Sequence, residues 1–198
     1  MRNPPPRVPH PPVPNRADDT LARAAAPTES RTESRTEAEE RFTVELASVV
    51  AGARRRAHRG ADAQIDTAHL LHSLLETDPE ARAVFEGPQL ARVLGYLVQR
   101  SIGYGLRWQG TVEDSGALPV IRNRTVAGWS PPAVSAMSGA LERAARRGAP
   151  RVGGVDLLAA LASDASCRAV EVLERAGVDT LTLAARLARP LRSSRQVS

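Results

Sequence analysis

The chain has 198 residues, enough for one ordinary domain with tails. Hydrophobic residues make up 42% but aromatics only 3%, so a core must come from Leu, Val and Ala, which suits packed helices better than sheets. All 27 basic residues are arginine, which excludes a lysine-bearing phosphate loop and a Schiff-base amine; the net charge of +5 permits nucleic-acid or acidic partners.

One cysteine, Cys167, rules out an intrachain disulfide and fits a reducing, cytoplasmic setting. No apolar run approaches the roughly 20 residues of a membrane span. The Pro- and Arg-rich N-terminus lacks the apolar centre of a secretory signal.

Residues 1–40 read as a disordered tail. Eight of the fifteen prolines fall in the first 27 residues, and Thr28-Glu29-Ser30-Arg31 is echoed by Thr32-Glu33-Ser34-Arg35. Such a polar segment cannot bury enough surface to offset its ordering entropy. Seven arginines balance seven acids through Arg41, so the positive charge belongs to the folded part.

Folding is expected from Phe42. Thr43 is placed to cap a helix carrying Leu46, Val49, Val50 and Ala53, with arginines towards its C-terminal end. Ile65 to Leu75 is the densest apolar run. Leu70, Leu71, Leu74 and Leu75 share one helical face, and Asp66 or Thr67 can cap it. Asp78-Pro79-Glu80 starts a short helix to about Glu86. After Gly87-Pro88, Leu90, Val93, Leu94, Leu97 and Val98 form a further stripe. Residues 101–128 read as a linker, with an extended piece at Pro119-Val120-Ile121.

The pattern then recurs 87 residues on. Trp129-Ser130-Pro131 stands where Phe42-Thr43 stood, and Ser130 caps a helix through Val134, Met137, Leu141 and Ala144 that ends near Gly148. Val155 to Ala162 is the second Leu-rich helix, and Asp164 restarts the chain as Asp78 did. Gly177 fits a left-handed helix terminus, and Asp179 caps a last helix through Leu181, Leu183, Leu187 and Leu191. The expectation is an all-α fold of two tandem pseudo-symmetric four-helix repeats, about eight helices in all. Repeat one covers 42–100 and repeat two 129–191, within a domain of 41–191 that is followed by a frayed basic tail, 192–198.

Phe42-Thr43, Ile65-Asp66-Thr67-Ala68-His69-Leu70-Leu71, Trp129-Ser130-Pro131, Arg168-Ala169-Val170 and Ala176-Gly177-Val178-Asp179 resemble, in register and twice over, the Clp N-terminal (Clp repeat) domain. That domain precedes the ATPase modules of Clp-type unfoldases. The chain ends where those modules would begin, so the resemblance implies a stand-alone Clp N-domain protein, neither unfoldase nor peptidase. It implies no cofactor and no membrane, and partners among Clp unfoldases, adaptors and clients.

In related Clp N-domains the repeats bind arginine-phosphorylated proteins. A hydroxyl and helix N–H groups hold the phosphate, and a Glu holds the guanidinium. Here Thr43 and Ser130 keep the hydroxyls, but Ala68 and Val155 stand at the Glu positions, which argues against phosphoarginine recognition. Phe42 and Trp129 match the aromatic region that meets adaptors or cyclic-peptide antibiotics in relatives. Phe42, Thr43, Trp129 and Ser130 are thus the candidate peptide- or phosphate-binding residues. The plainer alternative makes the hydroxyls helix caps and the aromatics hydrophobic staples.

His69 and His72 lie three apart on a helix with no third ligand in register, so no metal is expected. Cys167 reads as a buried small residue. No catalytic motif is present, so the expected function is a non-catalytic protein-binding module acting as adaptor, regulator or decoy in Clp-dependent proteolysis. The alternative is an Arg-rich nucleic-acid-associated regulator, supported by Arg54 to Arg59 and the basic tail.

Overall fold

A computed structural model of the chain describes residues 41–101, 113 and 128–188. The expected disordered tail 1–40, the extended piece at 119–121 and the basic tail 192–198 lie outside the described residues. Those described form eight helices and two very short strands. None of these helices is long and apolar enough to cross a membrane.

In the first repeat α1 spans Val44–Arg59. The Thr43 hydroxyl accepts the Leu46 N–H at 3.2 Å, and Leu46, Val49, Val50, Ala53 and Ala57 make one buried stripe. Strand β1 is Gln64–Ile65, and α2 is Thr67–Thr77. Asp66, not Thr67, is the cap of α2: its carboxylate accepts the His69 N–H at 2.9 Å. Thr67 through Leu75 are all buried, because α2 is enclosed by neighbours on every side.

The next helix, α3, stops after Pro79–Arg82, short of the expected Glu86. A turn at Ala83–Phe85 replaces the rest and brings Phe85 into the core, 8% exposed. Helix α4 is Gly87–Ser101. Val93 and Leu97 face inward, while Val98, expected on the same stripe, is 48% exposed.

The second repeat opens with β2, Gly128–Trp129, and α5, Pro131–Arg146. The α5 stripe is alanine: Ala133, Ala136, Ala140 and Ala144 are buried. Helix α6 is Gly154–Ala162, α7 is Arg168–Arg175 and α8 is Thr180–Ala188. Gly177 takes the left-handed conformation (φ 77°) after α7, as expected of a helix terminator. Asp179 caps α8 through the Thr182 N–H at 3.0 Å. Leu181 falls on the outer face, 82% exposed, while Leu183 and Leu187 are buried.

Helices α1 and α2 pack on each other, as do α5 and α6. Gly52 and Gly139 are 87 residues apart and make equivalent close approaches. An added Cβ would lie 3.0 Å from the Ser73 hydroxyl in one repeat and 3.4 Å from the Ala160 methyl in the other. Small residues at these crossings let the Leu-rich helices α2 and α6 sit at the centre, each flanked by elements of both repeats.

The extended segments cross between the repeats. Ile65, just before α2, pairs in parallel with Trp129, just before α5. Its symmetry mate is the bridge between Phe42, before α1, and Val152, before α6. Ser130 N–H donates to the Ile65 carbonyl and Thr43 N–H to the Val152 carbonyl, both at 2.9 Å. Each repeat therefore completes the backbone hydrogen bonding of the other.

Candidate functional site

The two candidate pairs have different surroundings. Phe42 is buried at 7% exposure, and the chain turns at Thr43 into α1. Beside them opens a surface groove lined by Phe42, Thr43, Val44, Ala47, Ser48, Ala51 and Arg151. Val44 is 72% exposed, a large apolar side chain left uncovered in the groove that Arg151 also lines. Phe42 and Thr43 line this groove; Trp129 and Ser130 do not. Trp129 is partly buried against the core at the β1–β2 pairing.

Ser130 has no exposed surface. Its hydroxyl accepts the Ala133 N–H at 3.2 Å, the capping role the plainer reading gave it. The same hydroxyl donates at 2.5 Å to the carboxylate of Glu113, a linker residue buried at 4% exposure. Ser130 is thus an internal contact, not a surface one. The sequence reading missed Glu113, because nothing in a Gly-rich polar linker distinguishes one acid from the next.

A second node joins the repeats at the start of α2. Asp66, 1% exposed, accepts from Arg168 Nη1 at 2.7 Å and also from the Arg100 guanidinium. Burial alone would raise the pKa of its carboxyl. The hydrogen bonds from His69 and the charges of His69 and Arg100 outweigh burial and hold it far below the usual carboxylate range. In repeat two Asp156 stands where His69 stands in repeat one, and it accepts from Arg147 at 3.1 and 2.6 Å and lies 3.3 Å from Arg143, all within that repeat. Neither aspartate is available to replace the carboxylate absent at Ala68 and Val155.

His69 is engaged in this node rather than in a metal site. Its Nε2–H donates to Asp62 at 3.0 Å. Its Nδ1 accepts the Asp66 N–H at 3.1 Å when neutral, and lies 2.7 Å from Asp66 Oδ1 to donate when protonated. Burial would lower its pKa, but Asp62 and Asp66 together raise it above the ordinary value. His72 goes the other way: burial, with the charge of Arg56 beside it, lowers its pKa to about 4. Among the described residues no group of His, Cys, Asp and Glu could hold a metal ion. Cys167 is buried, and burial raises its thiol to about 11.

No protein-family model matches the chain, and no curated protein does. Solved structures do match. The N-terminal domain of the caseinolytic protease-associated chaperone ClpD from Arabidopsis thaliana aligns with a TM-score of 0.52 at 19% identity, over 75% of this chain and 92% of that one. The fold is that of a Clp N-terminal domain. A chain from a malarial protein secretion system gives the same result, with a TM-score of 0.54 at 15% identity over 74% and 92% of the two chains. The Clp N-domain fold places the groove at the opening of the first repeat and the two carboxylate nodes between the repeats.

Proposed function

We propose that this Clp N-domain fold serves as a non-catalytic protein-binding module, working as an adaptor, regulator or decoy in cytoplasmic Clp-dependent proteolysis. Its partners would be a Clp unfoldase, an adaptor or a client. The observation that carries this reading is the groove beside Phe42 and Thr43, whose lining includes exposed Val44 and Arg151. An apolar surface beside one unburied guanidinium suits a peptide with an apolar side chain near a carboxylate. Catalysis has no support: the thiol of Cys167 stays protonated at neutral pH, and the arginines are basic but not proton-transfer groups. Phosphoarginine recognition is not part of the proposal, since Ser130 is buried and no carboxylate stands at position 68 or 155.

The nucleic-acid alternative loses ground because several arginines are paired with acids. Arg56 pairs with Glu76, Arg100 and Arg168 with Asp66, and Arg143 and Arg147 with Asp156. The test is binding of purified protein to a Clp unfoldase, its adaptors and arginine-rich clients, with Val44→Asp and Arg151→Glu as variants. The expected result is binding weakened at least tenfold by either substitution, with thermal stability unchanged. No binding to any of the three, or variants that bind as tightly as the parent, would sink the proposal. Affinity for DNA that falls steeply with salt would favour the alternative.

A further inference from the structure

We propose that the cleft where α2, α5 and α7 begin is a carboxylate-binding site, filled by the chain's own Glu113, and that without Glu113 it takes a small free carboxylate such as formate or acetate. Four donors meet the carboxylate. Oε1 accepts from the Arg168 N–H at 2.8 Å and from the Thr67 hydroxyl. Oε2 accepts from the Thr67 N–H at 2.9 Å and from the Ser130 hydroxyl at 2.5 Å. That is two donors on each oxygen, which matches the four lone-pair positions of a planar carboxylate.

Both hydroxyls are themselves held by helix N–H groups. Ser130 Oγ accepts from Ala133 N–H at 3.2 Å, and Thr67 Oγ1 accepts from Ala169 N–H at 3.0 Å. The positive ends of three helix dipoles thus converge on one anion, two directly and the third through Ser130. Thr67 and Ser130 show no exposed surface, and Arg168 only 8%. Arg168 Nη1 donates to Asp66 at 2.7 Å, while its backbone N–H serves Glu113.

The other central helix also meets a carboxylate from the opposite repeat at its first turn. Gly154 opens α6 in the position Thr67 holds in α2. A Cβ there would fall 2.0 Å from Asp78 Oδ2, so a carboxylate already lies against the first turn of α6. Asp78 comes from repeat one, where it also caps α3 through Ala81 N–H at 2.9 Å. Glu113 comes from the linker, 46 residues after Thr67 and 55 before Arg168. Glu113 therefore contacts both repeats at once.

The experiment compares thermal unfolding of the full chain, Glu113→Ala and Glu113→Gln in formate, phosphate and chloride at matched ionic strength. Glu113→Ala is expected to melt about 5–10 °C below the parent in chloride. Formate at about 100 mM should return at least half of that loss while moving the parent by less than a degree or so. Phosphate should do no more than chloride, since its extra oxygens have no donors here. Glu113→Gln keeps the shape without the charge, and should melt low and ignore formate because its amide still fills the cleft. If Glu113→Ala does not fold in chloride, refolding in formate should restore its helical signal. A Glu113→Ala that melts with the parent overturns the proposal, as does formate that acts equally on both or on neither, or phosphate that matches formate. The readout is stability, so the outcome is independent of whether the groove binds protein.

Discussion

Replacing Asp66 by Asn tests how the two repeats are held together. The amide oxygen can still accept the His69 N–H that Asp66 accepts at 2.9 Å, so the cap on α2 survives. What is lost is the charge facing Arg168 and Arg100, whose side chains are 9% and 12% exposed. Breaking a buried pair from one side costs about 3–5 kcal/mol. The long arginines can partly reach water, so the lower end, about 3 kcal/mol, is expected here. In a domain of this size that lowers the melting point by about 6–12 °C. Asp66→Ala removes the cap as well and should cost about 1 kcal/mol more.

The assay is urea unfolding followed by circular dichroism at pH 7. The folded carboxyl titrates below its unfolded value, so its contribution is present above the unfolded pKa and disappears as pH falls through the folded one. The deficit of Asp66→Asn should accordingly shrink in acid. A deficit under about 1 kcal/mol at pH 7, or one independent of pH into strong acid, would refute the view of Asp66 as the inter-repeat hub.

Other outcomes follow from the same geometry. Gly154→Ala should destabilise by about 1–3 kcal/mol, since its methyl would meet Asp78 and Leu74 at 2.0 and 2.7 Å; Gly95→Ala, within α4 and open to space, should stabilise by about 0.5–1 kcal/mol, both read by urea unfolding. Ser73→Ala should be neutral or stabilise by about 1 kcal/mol in the same assay, because the buried hydroxyl makes no hydrogen bond and Ala160 already holds that place in the other repeat. The two histidines should give opposite pH slopes. His72 titrates lower folded than unfolded, so stability rises with pH between about 4 and 6.5, and His72→Gln flattens that window. His69 titrates higher folded, so its contribution is full below the unfolded pKa and is lost as pH climbs through the folded value; His69→Gln flattens that upper window. Cys167 should resist a thiol reagent at pH 8 until the protein unfolds, a difference measurable as a rate in native and denaturing buffer.

What could be read from the sequence was what local chemistry decides. The caps at Thr43, Ser130 and Asp179 and the left-handed Gly177 each follow from a residue and its near neighbours. The repeat frame follows because the same signals return at a fixed interval. Strands β1 and β2 could not be read, since two residues carry no period. The partners of Asp66 could not be read either: Arg168 lies 102 residues away, and no spacing rule reaches that far. Glu113 is the extreme case, defined wholly by the four groups the fold brings to it. The sequence suggested Phe42 and Trp129 as matched sites. The structure makes them matched in backbone role but not in surface, because Ser130 beside Trp129 is enclosed by a linker side chain.

The crossed pairing of Phe42 with Val152 and Ile65 with Trp129 has a bearing on ancestry. A half-length chain would carry one copy of each segment, and two such chains could satisfy each other with the same register. The architecture is therefore reachable as a symmetric dimer first and as a fused tandem later. In the fused form the halves are free to diverge, and the acid that serves α2 can be drawn from the very segment that joins them.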